Sequence, residues 1–236
     1  MPTVFVTGAN RGLGLEFSRQ YLADGWEVFA SCRKPGAAQA LNELAADYDK
    51  LHILELDVCD TSAVRRTGKE LAGQAIDVLV NNAGIFGPRR RADSDLGQTF
   101  GHLDEKVCMD VFRVNSVAPL MMAEALLPSI LAGEQKKIVT ISSILGSITH
   151  TEGQIYAYRM SKAAVDMAMA SLAIDLADKG ILVCVISPGW VKTDMGGDGA
   201  DLTPEQSIRS VRRVIAGLDK SSNGVLLDYQ GEQVGW

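Results

Sequence analysis

An α/β fold is predicted, a single doubly wound parallel sheet of about seven strands with helices on both faces. Three observations predict it. Short apolar runs alternate with amphipathic segments from one end of the chain to the other. The run Thr3-Val4-Phe5-Val6 flows directly into a glycine-rich turn that opens a helix. The later strand candidates are nearly all apolar, as strands covered on both faces must be. No repeat, low-complexity tract or composition break divides the 236 residues, of which 47% are hydrophobic and 22% charged, so 1–236 reads as one domain with one sizeable core.

The first strand, 3–7, is β-branched and aromatic. It leads into Thr7-Gly8-Ala9-Asn10-Arg11-Gly12-Leu13-Gly14, an order that brings backbone N–H groups and a helix N-terminus against a pyrophosphate. Leu13, Phe17, Tyr21 and Leu22 then recur at helical spacing over 12–24, and Gly25 is the stop. Strands follow at 27–32, 51–57, 78–81, 137–142, 182–187 and 224–227, with helices at 37–47, 61–72, 103–131, 156–179 and 204–217 between them. The fourth strand ends in Asn81-Asn82-Ala83-Gly84, and the fifth in Ser142-Ser143, both where a doubly wound sheet binds ligands.

A formal net charge of −6 argues against general affinity for nucleic acid or anionic membrane. The first strand starts by residue 3 with no basic leader, and no apolar stretch approaches the ~20 residues of a membrane span. A soluble, cytoplasmic protein without membrane insertion is expected. Cys32, Cys59, Cys108 and Cys184 are scattered without a C-x-x-C pair and read as reduced thiols. His52, His102 and His150 are far apart, and no ligand cluster has metal spacing, so no metal is expected.

Tyr158 and Lys162, four residues apart, share one helix face, where the ammonium can lower the phenol's pKa and equip it to exchange a proton near neutral pH. Ser143 could donate a hydrogen bond to a substrate carbonyl while Tyr158 supplies the proton. Asn115 interrupts an apolar helical segment. Pro119, four residues on, has no N–H for the carbonyl of residue 115 and should loosen the helix there.

Seven ordered motifs, Thr7-Gly8-x-x-x-Gly12-x-Gly14, Asp57-Val58, Asn81-Asn82-Ala83-Gly84, Asn115, Ser143, Tyr158-x-x-x-Lys162 and Pro188-Gly189, resemble the short-chain dehydrogenase/reductase family over nearly the whole chain. The resemblance implies a Rossmann-like oxidoreductase domain and a catalytic tetrad of Asn115, Ser143, Tyr158 and Lys162. Ser143 is preferred to Ser142 because the family's serine precedes a glycine by three, which Gly146 satisfies. Lys162 would hydrogen-bond the nicotinamide ribose, Asn115 would hold a water linking the lysine to solvent, and the pro-S hydride would be transferred.

The same resemblance implies that Gly8, Asn10, Arg11, Gly12, Leu13, Gly14, Asn82, Ala83, Gly84, Tyr158, Lys162, Pro188, Gly189 and Val191 bind the dinucleotide. Asp57 and Val58 would meet the adenine, and Thr193 the carboxamide. The second strand ends without an acid to bind a ribose diol. Arg33, with Arg11 as a second cation, favours a 2′-phosphate and hence NADP(H). The short segment after Gly189 and the ending from Gly224 to Trp236 resemble the small branch of carbonyl reductases and C-factor-like proteins.

Phe86, Ile144, Tyr156, Trp190 and Met195 point to a hydrophobic or aromatic ketone, aldehyde or quinone as substrate, or to its alcohol. An insertion around 147–154 should reshape the pocket, and Arg89-Arg90-Arg91 borders the entrance or forms a solvated loop. Helices 103–131 and 156–179 are apolar around their circumference, which with the resemblance implies a homodimer or homotetramer. A rival reading is an NADP(H)-binding signalling or scaffold protein with little turnover. An intact Tyr158 favours the enzyme.

Overall fold

Seven parallel strands lie side by side in the order β3-β2-β1-β4-β5-β6-β7 in a computed structural model that describes residues 1–88 and 97–236. The strands are β1 (Thr3–Thr7), β2 (Glu27–Cys32), β3 (Leu51–Glu55), β4 (Val78–Asn81), β5 (Lys137–Ile141), β6 (Leu182–Ser187) and β7 (Leu226–Asp228). Between them run α1 (Gly12–Ala23), α2 (Gln39–Asp47), α3 (Thr61–Glu70), α4 (Glu105–Phe112), α5 (Ala118–Ala132), α6 (Tyr156–Asp175) and α7 (Pro204–Gly217). Strand order reverses between β1, paired with β2 on one side, and β4 on the other, which opens a crevice at their carboxyl ends.

Alternation along each strand splits the interior into two apolar layers. Val4 and Val6 of β1 join Phe17, Tyr21, Leu41 and Ile208 on the α1, α2 and α7 side. Phe5 joins Val64, Leu126, Ile138, Val165 and Met169 on the α3, α5 and α6 side. Each fully buried side chain of this size contributes about 1.5–3 kcal/mol by removal from water.

Several element ends differ from the sequence reading, each for a local reason. β3 stops at Glu55 rather than at 57, because Asp57 turns the chain by accepting the Cys59 N–H at 2.9 Å. Asp60 then caps α3 by accepting from Ser62 and Ala63. β5 ends at Ile141, and β7 begins two residues later than expected, at Leu226. α6 ends at Asp175, with a short 3-10 turn at Ala177–Lys179.

The helix expected at 103–131 is three pieces. Arg113–Val117 forms a π-helical turn between α4 and α5, with the Ala118 N–H on the Arg113 carbonyl five residues back. Pro119 is the reason, since it has no N–H for the carbonyl of Asn115. The continuous run Glu105–Ala132 spans 28 residues with a window of mean hydropathy 1.4, long and apolar enough to cross a membrane by length and composition. This corrects the expectation that no stretch approaches that length: Arg113 and Asn115 interrupt the apolar pattern but not the helix. Half of that window is buried in the fold, as for a core helix.

Candidate active site

The glycine turn after β1 is a backbone cradle. Gly8 and Gly12 adopt φ of 66° and 55°, a region costly for residues with a Cβ. A Cβ on Gly14 would lie 2.3 Å from the Gly8 carbonyl oxygen, and one on Gly8 would lie 2.9 Å from Ala83 Cα. The turn is clamped to the end of β4. Thr7 Oγ1 accepts the N–H groups of Asn82 and Ala83 at 3.0 Å each, and Asn82 Nδ2 donates to the carbonyls of Thr7 and Gly8. The Asn82 Nδ2 group is therefore spent on the turn.

α1 starts at this turn with no side-chain cap on its free N–H groups and no acid in its first turn. Unsatisfied donors and the positive helix end fit an anionic pyrophosphate. Arg33 stands exposed just past β2. Arg11 is engaged with Asp194 at 3.0 Å, both side chains being largely exposed, so this pair bridges the two walls of the crevice. Asp57 is exposed, with one oxygen on the Cys59 N–H. Thr193 Oγ1 accepts from the Gly196 N–H at 3.0 Å and donates to the Val191 carbonyl at 3.3 Å, a tight turn between Gly189 and the start of α7.

The four expected catalytic residues converge beside this cradle. Tyr158 and Lys162 lie on successive turns of α6 and are 7% and 5% exposed, so both work out of bulk water. Lys162 Nζ donates to the Ile141 carbonyl at 2.8 Å and sits 5.6 Å from the Tyr158 ring centroid. Ser143 Oγ accepts the Leu145 N–H at 3.2 Å and lies near enough to the Tyr158 hydroxyl to act on its titration. A Cβ on Gly146 would fall 2.7 Å from Lys162 Cβ, so only glycine lets the turn Ile144–Gly146 seat on α6 and bring Ser143 to Tyr158.

Asn115, in the π turn, accepts the Ile85 N–H through Oδ1 at 2.8 Å. It donates through Nδ2 to the Ile85 carbonyl at 2.8 Å and to Ser161 Oγ at 3.0 Å. Its side chain thus ties the loop after β4 to α6. Its backbone carbonyl lies four residues before Pro119, which has no N–H to offer it. A Cβ on Gly84 would meet Asn115 Oδ1 at 3.3 Å and Lys162 Nζ at 3.8 Å, which marks how closely these residues gather.

The electrostatics correct one expectation. Burial pushes the Tyr158 phenol up to about 12, with the neighbouring Ser143 hydroxyl pulling it down and Asp166 pushing it up. The sequence predicts the opposite direction, from Lys162. The ammonium instead points at the Ile141 carbonyl while the hydroxyl is desolvated. Burial lowers Lys162 to about 8, opposed by Asp166.

Gln98 is a positioning residue that sequence reasoning misses. Its Nε2 donates to the carbonyls of Phe86 and Pro88, at 2.9 Å each, and its Oε1 accepts the Tyr158 N–H at 3.2 Å. Its backbone carbonyl accepts the Tyr156 N–H at 2.9 Å. It thereby caps α6 from a distance, where Ile155 provides no side-chain cap and holds a left-handed φ of 41°. A glutamine in an irregular segment carries no signal of that duty.

The entrance is aromatic. Phe86 packs on the Tyr158 ring with centroids 4.7 Å apart, and Phe100 faces Tyr156 at 6.4 Å. Trp190, 55% exposed, is held by its Nε1 donating to the Gly196 carbonyl at 2.9 Å, while Ile144 and Met195 are also exposed. The inserted segment is pinned at Thr149, whose N–H and Oγ1 both donate to the Trp236 carbonyl, at 2.9 and 2.6 Å. Arg89, Arg90 and Arg91 lie outside the described residues. Among the described residues, no group of three or more His, Cys, Asp or Glu side chains could hold a metal ion.

The short chain dehydrogenase family profile matches residues 2–201, and the chain belongs to that family. It is 40% identical over 162 residues to the C-signal protein of Myxococcus xanthus, covering 68% of this chain and 93% of that one. Its fold is similar to that of the carbonyl reductase Sniffer of D. melanogaster, with TM-score 0.92, 34% identity and full coverage of both chains. It is equally similar to the NADPH-bound carbonyl reductase from chicken fatty liver, with TM-score 0.90 and 34% identity over 100% of this chain and 99% of that one.

Proposed function

We propose that the protein is an NADP(H)-dependent reductase that interconverts a hydrophobic carbonyl compound, a ketone, aldehyde or quinone, and the corresponding alcohol. The observation that carries this reading is Ser143 brought beside Tyr158 at the end of β5, over Lys162 and beside the glycine cradle. When bound, the nicotinamide supplies the hydride for the carbonyl carbon. Ser143 holds the carbonyl oxygen and Tyr158 protonates it. A phenol held protonated through neutral pH by burial is in the form a proton donor requires. Lys162, 5.6 Å from the Tyr158 ring centroid, holds a positive charge near the reacting centre in a site shielded from water.

NADP(H) is favoured by the two cations and by the likeness to NADPH-bound carbonyl reductase. Arg33 is free to meet a 2′-phosphate from the end of β2, and Arg11 would reach it by leaving Asp194. The aromatic entrance favours flat or apolar substrates. The proposal includes a cytoplasmic location and a homodimer or homotetramer through the outer faces of α4, α5 and α6, where Met109, Phe112, Leu120, Met167 and Ile174 are exposed. Likeness to C-signal raises a signalling role, but a tetrad fully assembled around Tyr158 supports turnover. An NADPH-depletion screen over ketones, aldehydes and quinones tests the reading. Turnover of aromatic carbonyls is expected; tight NADPH binding with no turnover of any panel member would contradict it.

A further inference from the structure

Asp166 lies one helical turn beyond Lys162, so Tyr158, Lys162 and Asp166 line a single face of α6 at i, i+4 and i+8. Its side chain is buried, the residue being 2% exposed, at the top of the apolar layer that holds Val165, Met169, Ile138 and Val183. The alternation of β5 sends Ile138, Thr140 and Ser142 toward this layer, and the Ser142 hydroxyl faces the carboxyl. Among the described residues, no hydrogen bond of regular geometry closes on either carboxylate oxygen or on Ser142 Oγ. A buried carboxylate so poorly satisfied is costly, and a residue kept only for packing would be apolar.

The surroundings leave Lys162 as its counter-charge. α4, the π turn and α5 carry Glu105, Lys106, Asp110, Arg113 and Glu124 at exposed positions. Asp178 and Lys179, after α6, are exposed too. β6 presents Val183 and Val185, the end of β5 presents Ser142 and Ser143, and α6 itself presents Tyr158. Lys162 pulls the Asp166 carboxyl down and Asp166 pulls the ammonium up, each opposing what burial does to the other.

We propose that Asp166 is a positioning residue for the reduction, a buried counter-charge that keeps Lys162 an ammonium and so sets the basic edge of the pH range in which Tyr158 delivers its proton. The catalytic half of this statement rests on the reductase reading; the charge coupling does not. With Asp166 neutral, burial acts on Lys162 unopposed, so the lysine sheds its proton at lower pH.

The test is Asp166→Asn, read by the Lys162 13Cε NMR titration, assigned with Lys162→Met, and by pH profiles of kcat for NADPH-dependent carbonyl reduction. The Lys162 midpoint should fall by about one pH unit, with the basic limb of kcat moving down alongside it, and Asp166→Glu should restore much of both shifts. An unmoved Lys162 midpoint overturns the coupling, and a moved midpoint with an unmoved limb overturns its role in reduction. A wild-type protein that turns over no carbonyl would instead strike the reductase reading, with the NMR titration still deciding the coupling. Should Asp166→Asn not fold, Asp166→Ala, which removes the carboxyl without leaving a buried polar group, takes its place, with the same expected shifts and the same overturning results.

Discussion

Tyr158, Lys162 and Asp166 are buried in sequence along one face of α6, and burial is the largest influence on all three. For Asp166 it raises the carboxyl from 3.8 to about 6. A folded-state value above the unfolded one means that the native protein binds the extra proton between those values. Stability from this group is then full below about pH 4 and lost as pH rises through about 6, an effect of about 2–3 kcal/mol. Asp166→Asn should therefore gain about 2 kcal/mol relative to wild type in guanidinium unfolding at about pH 8, compared with about pH 4. A pH-independent difference would show that the carboxylate carries no such cost. Arg33 makes a separate prediction. Arg33→Ala should weaken NADPH binding about 10–100-fold while NADH binding changes less than about twofold, because only the 2′-phosphate takes charge-assisted hydrogen bonds from the guanidinium. Equal losses in fluorescence titrations with the two cofactors would refute the contact.

The π turn at Arg113–Val117 and the start of α6 show how local irregularity builds the site. Pro119 marks the first in the sequence, since a missing N–H four residues after an asparagine has one geometric consequence. The second is silent. Gln98 joins Phe86, Pro88, Tyr156 and Tyr158 through four hydrogen bonds to backbone groups. Gln98→Ala keeps the backbone carbonyl that accepts the Tyr156 N–H but leaves the Tyr158 N–H without its remote cap and frees the loop that carries Phe86. We expect a loss of about 1–3 kcal/mol in stability and about tenfold in kcat, with NADPH affinity nearly unchanged. Thermal melts and steady-state kinetics check this, and an unaltered kcat would remove Gln98 from the positioning of Tyr158. The direction of the Tyr158 shift is hidden from the sequence for the same reason as Gln98: both depend on which atoms a folded neighbour turns toward, here Lys162 toward Ile141.

Over the whole molecule, period-two strands and 3.6-residue helices make the architecture legible. Val4 and Val6 against Phe5 already announce a sheet covered on both faces. The reversal between β1 and β4 then fixes where a dinucleotide can lie, which is why the glycine turn, Asn82–Gly84, Ser143 and Tyr158 reach one crevice although they are far apart in the chain. Element ends were less legible, as at Asp57, where a side chain on a backbone N–H ends β3 early. Exposed Met109, Phe112, Leu120, Met167 and Ile174 on the outer helices form the surface proposed to meet a second subunit. Sedimentation velocity should give a dimer or tetramer, and a monomer at high micromolar concentration would remove that proposal. In the proposed reaction all of these parts serve one buried phenol delivering a proton to a carbonyl oxygen. Tyr158→Phe, compared with wild type for NADPH-dependent reduction of an aromatic ketone or quinone, tests that most directly. Turnover should fall at least about 100-fold while NADPH binding stays within about twofold of wild type; ordinary turnover by the variant would contradict the role of Tyr158 outright.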